Sequence, residues 1–102
     1  MKKLLFMVLM SLFLFSCGEI PGTFKVIYHG NGSTSGFPPV DKNEYTSGSY
    51  ATVLDKNSLE KTGYEFNGWN TKSDSTGIPY IKGDKIEIKN INIFLFAVWR
   101  EI

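Results

Sequence analysis

Cys17 is the only cysteine in the chain, and it stands directly behind the only long apolar run. Residues 4–16, LLFMVLMSLFLFS, hold 11 apolar side chains in 13 positions, with Lys2 and Lys3 ahead of them. A basic start, a short apolar core and small residues at its end form the pattern of a secretion signal that is later removed. Spanning a bilayer takes about 20 apolar residues, more than this run supplies. The division limits what can fold: residues 1–16 are expected to be a signal peptide, leaving 86 residues with no partner thiol for an internal disulfide. Losing Lys2 and Lys3 takes the net charge from +1 to −1. A domain of that size buries only about 60–65% of the surface its unfolded chain exposes. Aromatic packing therefore has to supply much of the stability, and aromatic residues make up 15% of the chain.

The same composition excludes several functions. A charge this close to neutral does not serve bulk electrostatic binding of nucleic acid, so no nucleic-acid partner is expected. No cysteine cluster exists for a zinc site, and His29 is the only imidazole. The aromatic content is too high for a disordered chain. No cofactor and no metal are expected.

The segment Leu14-Phe15-Ser16-Cys17-Gly18 resembles a bacterial lipobox, in which a small residue precedes a cysteine that is lipidated and becomes the first residue of the mature protein. Ser16 and Cys17 fit that pattern, and Phe15 is bulkier than it usually allows. The resemblance implies that Cys17 is a lipidation site and that residues 17–22 are a short tether. Ordinary cleavage after Gly18 is the alternative, since Ser16-Cys17-Gly18 also satisfies the small-x-small rule. With a lipid on Cys17 the protein is expected to be exported to the cell envelope and anchored to a membrane.

Beyond the tether, the pattern is one of short strands. In residues 23–29, Phe24, Val26 and Tyr28 alternate with Lys25, Ile27 and His29. Gly30-Asn31-Gly32 turns the chain. Residues 50–54, 78–81 and 85–88 carry further strand signals. Asn57-Ser58-Leu59-Glu60 has the cap spacing of a helix start, and Gly63 stops it, so one short helix is expected over residues 58–62. Tyr64 and Phe66 alternate with polar residues in the next strand. Residues 91–100, INIFLFAVWR, form the strongest strand. Both its faces are apolar, as expected of a central strand covered on both sides.

The order and spacing of these pieces are similar to the Listeria–Bacteroides repeat, also called the internalin B-repeat. Tyr28-x-Gly30-Asn31-Gly32 is followed by Ser35-Gly36, Pro39, Asp41, Tyr45, Gly48, Ala51 and Val53. The most specific piece is Leu59-x-Lys61-x-Gly63-Tyr64-x-Phe66-x-Gly68-Trp69-Asn70-Thr71. Gly77, Tyr80, Gly83, Asn90-Ile91 and Leu95-x-Ala97-x-Trp99 complete it. The resemblance implies an α+β fold over residues 23–102, a small β-grasp-like mixed sheet with one short helix. It also implies a non-catalytic module of bacterial cell surfaces that serves adhesion, spacing or signalling. Relatives usually carry tandem copies, whereas this chain has a single one.

Candidate chemistry is sparse. His29 lacks a nucleophile motif to serve, and Asp41 and Glu44 lie in a loop-like stretch with Lys42 between them. Asp74-Ser75-Thr76-Gly77 lacks the alternating acidic ligands of a calcium loop. Asn31-Gly32-Ser33 fits a glycosylation sequon, which carries little weight in a bacterial lipoprotein. Trp69, Trp99, Tyr64, Phe66 and Tyr80 are expected mostly in the core. Phe37, Tyr45 and Tyr50 sit among polar residues and are the candidate partner contacts. Two functions fit: a membrane-anchored surface lipoprotein carrying one binding or adhesion module for a protein or glycan, or a structural envelope lipoprotein that packs against other envelope components or itself. Neither is an enzyme.

Overall fold

The computed structural model describes residues 22–102. The expected signal peptide, Cys17 and nearly all of the tether lie outside the described residues. Eight strands follow in order: β1 (Thr23–Phe24), β2 (Val26–His29), β3 (Tyr45–Thr46), β4 (Tyr50–Thr52), β5 (Tyr64–Asn70), β6 (Pro79–Tyr80), β7 (Lys85–Glu87) and β8 (Ile93–Glu101). They form a four-stranded mixed sheet in the order β2-β8-β5-β6 and two antiparallel pairs, β1·β3 and β4·β7. In the main sheet β2 runs parallel to β8, and the other pairings are antiparallel.

The core follows from the alternation of apolar and polar residues. Val26 and Tyr28 of β2, Leu95 and Ala97 of β8, and Trp69 of β5 are buried together with Ala51, Val53, Ile86 and Ile88 from the β4·β7 region. In that region Ile86 and Ile88 alternate with exposed Lys85, Glu87 and Lys89, the period of two that a half-buried strand requires. Phe66 and Trp69 are three apart, a spacing that would place them on opposite faces of a regular strand. A bulge resolves this: Phe66 pairs with Trp99 and Trp69 with Ala97, so β5 spends one more residue than β8 over the same stretch. Both rings thereby reach the core side, and they meet edge to face at 5.1 Å.

The described fold corrects the expected α+β class. Its regular elements are all strands, and no short helix forms over residues 58–62. The reason lies in where the polar groups go. Glu60 bridges to Ser35, with its N–H donating to the Ser35 carbonyl and its own carbonyl accepting from the Thr34 and Ser35 amides. Asn57, the expected cap, adopts φ 61° and donates its side-chain amide to the Phe37 carbonyl. Ser58 Oγ accepts from the Phe37 amide. Five residues cannot repay the cost of helix nucleation, so pairing with the 34–37 segment prevails.

A second correction concerns β8. It is central, as expected, but only one face is fully covered. Leu95 and Ala97 are buried, while Phe94 on the opposite face is 45% exposed and Phe96 and Val98 are half-buried. With no helix among the described residues, what shields this face includes His29, whose ring stacks on Phe96 at 4.9 Å and on Phe94 at 6.0 Å.

Candidate functional site

β1 and β2 form almost one strand, interrupted at Lys25. β3 pairs with the β1 part only, Phe24 opposite Tyr45 and Thr23 opposite Thr46. Beyond that pair the two segments part, and a slot of about 350 Å³ opens between residues 25–28 and residues 38–42. The sequence explains the parting. Pro38 and Pro39 have no N–H to give a ladder. Asp41 ties its neighbours into a local turn: its Oδ1 accepts from the Asn43 amide at 3.0 Å and from the Asn43 side chain at 2.9 Å. Its Oδ2 accepts from the Tyr45 hydroxyl at 2.6 Å. Such an Asx turn diverts backbone groups from strand pairing.

The floor of the slot is firm. Tyr28 turns its ring into the core, edge-on to Trp69 at 4.8 Å, and its hydroxyl accepts from the Leu54 amide at 3.0 Å. Burial raises its pKa above the ordinary 10.0, opposed by the Leu54 hydrogen bond and assisted by the charge of Asp41. At the rim Lys25 stands 3.9 Å from Glu44, while Lys42 forms no ion pair among the described residues.

Tyr45, one of the expected contact residues, is half-buried and held by Asp41. Burial first, and the hydrogen bond to Asp41 next, raise its pKa above 10.0. A tyrosine whose folded pKa is raised contributes stability that is intact below the unfolded value and is lost as pH climbs through the folded one. Urea midpoints should therefore fall above about pH 10, where Tyr28 and Tyr45 resist ionisation. Tyr45→Phe cannot ionise, so its midpoint should fall less steeply there, while its stability at pH 7 drops by about 1 kcal/mol. An identical alkaline slope in the variant would mean that Tyr45 does not contribute.

Phe37 is 76% and Tyr50 61% exposed. Phe37 is fixed by its backbone, which bonds Ser58 and Asn57. The structure thus ties Tyr45 to Asp41, which lines the slot, and leaves the rings of Phe37 and Tyr50 in solvent. Trp69 is buried and Trp99 half-buried, their indole N–H groups donating to the Leu54 and Gly30 carbonyls at 2.9 Å. Phe66, Tyr80 and Trp99 pack against the core, and Tyr64 is half-buried beneath the Lys61 ammonium. His29 is exposed and stacked on phenylalanines. The sequon amide of Asn31 is engaged, donating to the Ser73 and Ala97 carbonyls at 2.9 Å each. Asp74 binds Thr76 through its hydroxyl and amide, which lowers the carboxyl pKa. No group of three or more His, Cys, Asp or Glu among the described residues could hold a metal ion.

The slot itself was not evident from the sequence. The signal that marks it is the Pro38-Pro39 pair followed by Asp41-x-Asn43, two successive interruptions of strand pairing.

The model of the Listeria–Bacteroides repeat domain matches residues 24–98. The chain belongs to that family. The match covers the strands from Phe24 of β1 to Val98 of β8, hence both walls of the slot. Two curated relatives of the repeat come from Evansella cellulosilytica. One, provisionally named a membrane protein, is 33% identical over 76 residues, which are 74% of this chain and 11% of the relative. The other, provisionally named a Gly-rich membrane protein, is 34% identical over 76 residues, 74% of this chain and 9% of the relative. The chain thus spans only a small fraction of either relative's length. No solved structure gives a significant match.

Proposed function

We propose that the protein is a lipoprotein of the bacterial cell envelope, held to a membrane through Cys17 and presenting a single non-catalytic repeat as a binding or adhesion module. The position of Cys17, directly after the apolar run and Ser16, carries this reading. Both curated relatives are named as membrane proteins, which agrees with it. The repeat offers a slot and exposed aromatic side chains, which suit contact with a protein or glycan. Residues 18–22 reach at most about 17 Å when extended, so the module works close to its own membrane.

Stable anchoring takes more than one acyl chain, which a lipoprotein's modified cysteine provides. Labelled fatty acid should therefore enter the wild-type protein and not Cys17→Ser, and the variant should leave the membrane fraction or stay unprocessed. A Cys17→Ser protein of normal mature size that still sediments with membranes would overturn the anchor.

A further inference from the structure

The two edges of the main sheet differ. β6 closes one edge with two residues, one of them Pro79, the usual protection of an exposed edge. The other edge, β2, is four residues long and has no proline. The Ile93 amide donates to the Lys25 carbonyl, and the Lys25 amide donates to Asn92 Oδ1. In a parallel ladder the bonding residues alternate, so Lys25, Ile27 and His29 direct their backbone groups to β8. Val26 and Tyr28 direct theirs the other way, into the slot. Among the described residues no turn or loop backbone is bonded to these groups. Val26 is 2% and Tyr28 5% exposed, so their amides and carbonyls have little water to compensate them. Backbone groups left unpaired in so sheltered a place are costly and rare, and both residues line the slot.

We infer that this slot receives an extended peptide of a partner protein, which adds as a strand to β2 and takes up the Val26 and Tyr28 backbone groups. The inference rests on the binding-module reading and specifies the partner. Three observations select a strand. The orphan groups alternate along the chain, as only an extended backbone can match. The incoming strand would prolong the β1·β3 ladder at the point where residues 38–43 leave it. The wall is apolar at Pro38, Pro39 and Val40, which suits an apolar side chain. Lys42, with no carboxylate partner, favours an acidic residue beside that side chain.

Amide exchange followed by NMR on the full chain in detergent micelles tests this. In the free protein the Val26 and Tyr28 amides should exchange faster than those of Ile27 and His29. The probes are acetylated, amidated heptapeptides that alternate Val or Ile with Asp or Thr. The best of them should slow exchange at Val26 and Tyr28 by about tenfold, the worth of one net hydrogen bond, and leave Ile27 and His29 unchanged. Methylating alternate peptide nitrogens should abolish the effect. Lys42→Glu, an exposed change that leaves the fold intact, should weaken the Asp-containing peptides by about two- to fivefold and spare the Thr-only ones. Three results would overturn the inference: Val26 and Tyr28 amides already as slow as their neighbours in the free protein, no peptide that slows them, or slowing with protein concentration alone, which would make a second copy the occupant. None of these readouts depends on Cys17, so failure here is distinct from failure of the membrane anchor.

Discussion

Trp69→Ala should lower the unfolding free energy by about 3–5 kcal/mol, the usual cost of deleting a large buried ring. Trp69 is the largest fully buried side chain, 1% exposed. Its ring meets Tyr28 at 4.8 Å and Phe66 at 5.1 Å, both edge to face. Its N–H reaches the Leu54 carbonyl at 2.9 Å, tying the segment after β4 to β5. Truncation leaves a cavity and an unpaired carbonyl together. A small domain has about 5–15 kcal/mol in all, so the variant should be largely or wholly unfolded at ambient temperature. Urea unfolding followed by circular dichroism measures this. Trp69→Phe keeps a ring and loses the hydrogen bond, and its loss should be clearly smaller. Trp99→Ala should also cost less, since Trp99 is only half-buried. A Trp69→Ala protein of full stability that has lost a ligand would instead make Trp69 part of a recognition surface.

The burial of Trp69 was legible because a small domain without a disulfide has to place its largest apolar side chains inside. Local alternation likewise located β2, and the apolar run of residues 91–100 located β8. The bulge in β5 was not legible: it spends a residue at Asn67-Gly68 to bring Phe66 and Trp69 to one side, and only the pairing with Trp99 and Ala97 reveals it. The helix expected from Asn57 and Glu60 failed for a related reason. Cap spacing is a local signal, and it was overridden by Ser35 and Phe37, about twenty residues away in sequence. The apolar pattern of β8 placed it correctly at the centre of the sheet and wrongly implied a cover for its second face. Phe94 and Phe96 are met there by His29, a residue whose polarity gave no hint of that role. Phe37 and Tyr50 could be read as exposed because polar neighbours surround them. The slot depends on backbone groups that go unpaired, and side-chain patterns do not record those.

Gly36→Ala should cost about 3 kcal/mol, although it adds a single methyl group to an exposed residue. The position looks harmless in the sequence, a glycine in a polar loop. In the structure Gly36 has φ +80°, and a Cβ built there would overlap the Ser58 carbonyl. The two backbones are held at that distance by the Ser35–Glu60 bridge on one side and by the bond from the Phe37 amide to Ser58 Oγ on the other. A methyl group must push them apart. The left-handed backbone costs a non-glycine residue about 1–2 kcal/mol, and the hydrogen bonds that open cost about 1 kcal/mol each. Leu59, fully buried beside the contact, would lose part of its cover. Gly48→Ala supplies the control. Gly48 has φ +90° and nothing within 4 Å of its Cβ position, so that variant bears the backbone strain alone. The difference between the two urea midpoints isolates the close approach of the 34–37 and 57–60 segments, the contact that forms where the helix was expected. Equal midpoints would show that this contact adds nothing to stability.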